Sequence, residues 1–242
     1  MELKTIQGYL QKKTILVTGA TCFLAMVCHV VLLEKILRVQ PDVKKLYLLL
    51  RALDINSANG LEKMGAHFDS SLSEKVVAVP GDVTFENLGV KDLKLREEMF
   101  YEIQIIINSA ATTNFDERYD IALNVNTFGV LHVLGFAKKC LKLEMLLHIS
   151  TAYVCGERAG IIAEKCSSFL MDDRENFELH EKNVMEEKLN ELKAQDATEE
   201  TITSTMKDFG TESTRHFGSS LASGSIGTPK LSKFAREQSH DG

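Results

Sequence analysis

The stretch from Thr14 to Ala25, Thr-Ile-Leu-Val-Thr-Gly-Ala-Thr-Cys-Phe-Leu-Ala, constrains this chain more than any other. An apolar, β-branched run (Ile15, Leu16, Val17) ends in Thr18-Gly19 and passes into a helical pattern that begins near Phe23. Strand, tight glycine turn and helix N-terminus in succession make an anion cradle. Free backbone N–H groups and the positive end of the helix dipole then face a dinucleotide pyrophosphate. The usual spacing puts a second glycine at position 22, where the backbone comes closest to the phosphates, and this chain has Cys22 there. The signature is present but altered.

Beyond that turn, short apolar runs alternate with helical patterns. Strands are expected at Thr14–Thr18, Lys45–Leu50, Lys75–Val79, Ile103–Asn108 and Met145–Ser150, and helices at Phe23–Val39 and Tyr119–Leu141. Strands that are apolar without alternation, separated by helices, indicate a parallel sheet covered on both faces. The expected fold is therefore α/β, a doubly wound parallel sheet of Rossmann type spanning residues 12–160. A helical extension, residues 161–209, contains the charged segment His180–Lys207, read as one or two surface helices. Residues 210–242 are rich in Ser, Gly and Thr and are expected to form a disordered tail, because they hold too little apolar surface to offset ordering entropy.

Composition narrows the partners. A net charge of −6 and the lack of a basic stripe with interleaved aromatics argue against nucleic acid. Five cysteines, at 22, 28, 140, 155 and 166, make no Cys-x-x-Cys pair and no cluster with histidine, so no metal site is expected. Their odd number and the lack of a signal-peptide pattern suggest a reducing compartment, and a cytoplasmic location is expected. No apolar run approaches the length of a membrane span, and no transmembrane segment is expected.

The candidate binding residues share one placement, the carboxyl ends of strands, where open α/β sheets bind ligands. Arg51 follows the second strand, where an acidic residue would grip ribose hydroxyls; an arginine suits a 2′-phosphate, although a solvated strand end also carries arginine. Gly81-Asp82-Val83 follows the third strand, and its carboxylate could accept an adenine amino group or simply close a turn. Asn108-Ser109-Ala110-Ala111 follows the fourth; such small residues let a ribose and phosphates lie over the strand end, or serve tight packing. Ser150-Thr151-Ala152-Tyr153 ends the fifth, and Ser150 can donate to a carbonyl oxygen as negative charge develops on it.

Together these blocks resemble the plant alcohol-forming fatty acyl-CoA reductases, of the extended short-chain dehydrogenase/reductase superfamily. The matching residues are the Thr18–Ala25 turn, Leu48–Arg51, Val79–Asp82, Ser109–Phe115, Ser150–Val154 and Glu186–Ala194, in order, from the N-terminus to about Gly218. The resemblance implies reduction of long-chain fatty acyl-CoA to a primary alcohol in two hydride steps from NADPH. It implies cofactor contacts from Thr18, Gly19, Thr21, Cys22, Phe23, Leu24, Arg51, Asp82, Val83, Ser109, Ala110 and Ala111, and a catalytic role for Ser150. A homologous reductase subunit is a further expected partner.

The family also uses a Tyr-x-x-x-Lys pair, and its position lies beyond His216-Phe217-Gly218, where this chain leaves the pattern. Tyr153 is followed four residues on by Glu157, and Tyr9 with Lys13 precedes the first strand, so neither stands in. A positioned general acid contributes roughly 10²–10⁴-fold, so the alternative is a catalytically incomplete, truncated homologue with nucleotide-binding or no activity.

Overall fold

The computed structural model describes residues 6–19, 35–51, 74–149 and 174–216. They fall into two compact units: Met1–Thr113 with Phe128–Ser150, and Asn114–Thr127 with Thr151–Gly242.

The first unit holds five parallel strands: β1 Thr14–Thr18, β2 Lys45–Leu50, β3 Val76–Pro80, β4 Ile105–Asn108 and β5 Met145–His148. Their order is β3-β2-β1-β4-β5, the doubly wound arrangement expected from the sequence. The chain proceeds to one side of β1 through β2 and β3, then to the other through β4 and β5. The strand order therefore reverses between β1 and β4, which pair from Ile15↔Ile105 to Thr18↔Asn108.

Burial explains the unbroken apolar runs. All five residues of β1 and all four of β4 are buried. One face of the sheet, Ile15, Val17, Leu46, Leu48, Leu50, Ile105 and Ile107, packs with Ile36 and Leu37 of α2, whose described part is residues 35–39. A short helix, α1 Ile6–Tyr9, adds Tyr9 to that cluster. On the opposite face lie Leu16, Tyr47 and Ile106, with α3 Leu93–Glu102 and the C-terminal half of α4 Tyr119–Ala137. Phe100 of α3 and Phe136 of α4 pack with ring centroids 4.7 Å apart. Asp92 starts α3 by accepting from the backbone N–H groups of Lys94 and Leu95 at 3.0 and 3.2 Å.

Contrary to the expectation that no apolar run approaches a membrane span, α4 is long and apolar enough, by length and composition, to cross a membrane; half of its most apolar stretch is buried inside the protein. Val130, Val133, Leu134, Phe136 and Ala137 are each at most 5% exposed. Its apolarity serves the core. The helix ends at Ala137 rather than at Leu141, because Lys138–Cys140 close a turn back onto Leu134, Phe136 and Ala137.

At the edge where the strands begin, polar groups tie the sheet together. Lys13 Nζ pairs with Glu144 at 2.5 Å and lies 5.4 Å from the Tyr9 ring. The four-residue spacing of Tyr9 and Lys13 thus serves an ion pair at the sheet's amino edge. Lys45 reaches Glu98 at 2.7 Å and Glu102 at 2.5 Å, and the Tyr47 hydroxyl donates to Glu102 and lies 3.1 Å from Glu98. Burial pushes the Glu102 carboxyl upward, but hydrogen bonds from Lys45, Tyr47 and Lys44 outweigh it and bring it to about 2.

In the second unit, α5 Arg174–Ala194 and α6 Glu199–His216 accompany residues 114–127. Tyr119 donates to the buried carboxylate of Glu181 at 2.5 Å, and its ring meets Phe209 edge-on at 5.6 Å. Gly210 lies against the Tyr119 side chain, so closely that an added Cβ would sit 3.0 Å from it. α6 therefore continues through Gly210 to His216, past the residue where the composition turns to Ser, Gly and Thr. Packing sustains a helix where propensity alone would not.

Candidate functional site

Gly19 is the residue on which the carboxyl edge of the sheet closes. Its φ is +76°, and a Cβ there would stand 2.5 Å from the Ala110 backbone nitrogen and 2.7 Å from the Ser109 carbonyl carbon. No side chain fits between the ends of β1 and β4. The ends of β1 and β4 thus meet backbone to backbone at the point where the strand order reverses, the place where doubly wound sheets receive dinucleotides.

A row of buried polar groups braces that edge. Thr18, fully buried, donates from Oγ1 to Asn108 Oδ1 at 2.5 Å. Asn108 Nδ2 lies 3.1 Å from His148 Nδ1, and Asn108 and His148 are register partners on β4 and β5. An amide nitrogen only donates, so Nδ1 accepts and the imidazole proton resides on Nε2. Burial lowers the His148 pKa against a smaller opposing contribution from the Asn108 backbone, which favours the neutral ring. Ser109 Oγ donates to the Thr18 carbonyl at 2.8 Å, tying β4 back to β1.

The loop after β3 carries the next candidates. Asp82 Oδ1 accepts from the Thr84 N–H and hydroxyl, both at 2.9 Å, so the carboxylate does close a turn, and the turn fixes where that carboxylate stands. Further on, Asn87, Leu88 and Gly89 adopt φ of 52°, 58° and 62°. A left-handed leucine costs roughly 1–2 kcal/mol. Leu88 is fully buried, and its carbonyl accepts from the Asp82 N–H at 2.8 Å, occupying the space a Cβ on Gly81 would need. From α4, His132 Nδ1 contacts the Val83 carbonyl at 3.0 Å, and just beyond the helix Lys139 Nζ donates to Asn87 Oδ1 at 2.6 Å.

Arg51 follows β2 directly and is exposed. Ala110 is buried and Ala111 half-buried beside Ser109. Thr18, Gly19, Ser109, Ala110 and Ala111 are thus brought together at the switch point, while Asp82 and Val83 stand at the end of β3 and Arg51 at the end of β2, on the same sheet edge. Thr21, Cys22, Phe23, Leu24 and Ser150 lie outside the described residues. Two features went unseen in the sequence. His148 becomes a site residue only once β4 and β5 pair in this register. The other is a π turn, Asn124–Phe128, inside α4; such turns are frequent at functional sites.

Comparison with known proteins gives the family and the fold. An NAD-binding family profile described as male sterility protein matches residues 17–210. An alcohol-forming fatty acyl-CoA reductase of Simmondsia chinensis is 49% identical over 237 residues, covering 90% of this chain and 47% of its own length. Fatty acyl-CoA reductase 1 of Arabidopsis thaliana is 49% identical over 231 residues, covering 87% of this chain and 45% of its own. The chain spans about half the length of the curated relatives it matches. Among solved structures, the terminal R domain from the myxalamid PKS-NRPS biosynthetic pathway is similar, with a TM-score of 0.52 and 28% identity. That similarity covers 64% of this chain and 39% of the R domain.

Proposed function

This chain belongs to the male sterility protein family, and from that premise we propose that its sheet edge binds NADPH and serves the reduction of long-chain fatty acyl-CoA to a primary fatty alcohol. The observation that carries the reading is the approach of Gly19 to Ser109 and Ala110 with no side chain between them. A dinucleotide crosses the strand ends at this switch point, and a positive-φ glycine there, with the small Ser109, Ala110 and Ala111 beside it, is a residue set that fits the cofactor. The acyl-CoA substrate is carried over from relatives named fatty acyl-CoA reductases.

Bound NADPH supplies a hydride to the substrate carbonyl carbon. The chain's own residues hold and orient. In this proposal Gly19, Ser109, Ala110 and Ala111 receive the pyrophosphate and ribose, Arg51 pairs with the 2′-phosphate, and Asp82 with Val83 receives the adenine. Thr18, Asn108 and His148 keep the strand ends in one geometry, which is where misplacement would be most costly in rate. Ser150, two residues after β5, donates to the carbonyl oxygen as charge develops there. A cytoplasmic setting, peripheral at the endoplasmic reticulum membrane, belongs to the proposal; the buried free thiol of Cys140 suits a reducing compartment.

The test is fatty alcohol formation by the full chain supplied with long-chain acyl-CoA and NADPH. Alcohol production that Ser150→Ala lowers by roughly 10²-fold or more supports the reading. NADPH binding with no acyl-CoA reduction, and no change on adding Ser150→Ala, would contradict its catalytic part.

A further inference from the structure

We propose that His132 and Lys139 are positioning residues that clamp the Gly81–Val90 loop in its strained form, so that Asp82 and Val83 are ordered before the adenosine end of the dinucleotide arrives. The inference rests on the dinucleotide reading above and adds to it two residues that lie away from the strand ends.

The loop follows β3 and lies outside the strand ladder, so the sheet closes without it. Three successive left-handed residues, Asn87, Leu88 and Gly89, nevertheless hold it in one shape. Such a run persists only where its surroundings over-determine it, and that occurs characteristically at ligand clamps. Here the surroundings are specific. The Leu88 side chain is buried, and its carbonyl holds the Asp82 N–H at 2.8 Å. The Val83 carbonyl can only accept, so His132 Nδ1 donates to it, at 3.0 Å. Lys139 donates to Asn87 at 2.6 Å. His132 lies on α4 and Lys139 in the turn that follows it, and they hold the loop at Val83 and at Asn87.

Directly before the anchored Val83 stands Asp82, its carboxylate already oriented by both donors of Thr84. A loop fixed in this way loses little further freedom when ligand binds, and preorganisation of that kind appears as affinity. Neither anchor needs to touch the ligand. Lys139 is exposed and His132 half-buried, so both can be replaced without opening the core.

The experiment titrates the full chain with adenosine 2′,5′-bisphosphate, with reduced nicotinamide mononucleotide and with NADPH. Four proteins are compared: the parent, His132→Ala, His132→Asn and Lys139→Met. Asparagine places an amide N–H near the position of Nδ1. His132→Ala is expected to weaken the bisphosphate and NADPH by about 3–10-fold, the equivalent of one hydrogen bond. Lys139→Met should weaken both by about twofold, as suits an exposed contact. His132→Asn should restore most of the loss, and the mononucleotide should bind all four alike. Amide exchange at Asp82, whose N–H is held by Leu88, should quicken in His132→Ala and Lys139→Met. Unchanged bisphosphate affinity in His132→Ala, or an equal loss for both fragments, would overturn the clamp while leaving the dinucleotide site standing. A parent chain that binds none of the three would overturn the dinucleotide reading and the clamp with it.

Discussion

The Cβ that Gly19 lacks would lie 2.5 Å from the backbone nitrogen of Ala110, a contact that real Cβ atoms do not make. Position 19 is glycine for two reasons at once, its left-handed φ of +76° and the closeness of β4. Gly19→Ala should therefore cost roughly 2–4 kcal/mol, the left-handed penalty plus the displacement of the β4 end. Denaturant unfolding measures the loss, and nucleotide titration should show binding weakened beyond the stability effect. A stability change under about 0.5 kcal/mol, in the range of ordinary surface substitutions, would show that the strand ends relax freely.

Asn108 makes two bonds that its neighbours cannot replace. Asn108→Ala leaves Thr18 Oγ1 and His148 Nδ1 without their partner, at a cost of about 1–3 kcal/mol for the buried Thr18 and less for the half-buried His148. His148 also predicts a pH effect. Burial lowers its folded pKa below the ordinary 6.5. The unfolded chain therefore binds the proton more readily, and stability should fall as pH drops below 6.5. Asn108→Asp puts a negative charge beside the ring and should raise the His148 pKa, reversing the slope. Proton NMR titration of the imidazole checks both; a His148 pKa that Asn108→Asp leaves unmoved would contradict the pairing.

Glu102 predicts a window at lower pH. Its folded carboxyl, brought to about 2 by Lys45, Tyr47 and Lys44 in spite of burial, lies below the usual 4.5. Its contribution is complete above 4.5 and is lost as pH falls from 4.5 through about 2. Glu102→Gln should lower stability at neutral pH by about 1–3 kcal/mol and flatten the profile in that window. Parallel profiles for the two proteins would show that the ion cluster contributes nothing net.

The sheet was legible because its signal is local. Ile15, Leu16 and Val17 at β1 and Leu46–Leu50 at β2 are unbroken apolar runs, and both strands lie where the pattern places them. Boundaries slipped where a residue had other work. Ile103 is apolar but caps α3 through its N–H to the Met99 carbonyl, so β4 begins at Ile105. The π turn leaves hydrophobicity nearly unchanged and shifts only helical phase, so Asn124–Phe128 gave no warning. At the loop after β3, Asn87 and Gly89 are residues that tolerate left-handed backbone, but the Leu88 between them is not. His132, Lys139 and His148 act across 49, 52 and 40 residues of chain, distances that no spacing rule spans. The strand-end candidates were readable because topology alone gathers them on one edge.

The central claim is that this edge binds NADPH. Calorimetric titration of the full chain with NADPH and NADH at fixed salt tests it most directly, with Gly19→Ala and Arg51→Ala alongside. NADPH should bind more tightly than NADH. Arg51→Ala should remove most of that preference, costing roughly 1.5–3 kcal/mol for one charge-assisted contact. Gly19→Ala should weaken both nucleotides together. Equal affinity of the parent for NADPH and NADH would contradict the role given to Arg51, and no binding of either would contradict the account as a whole.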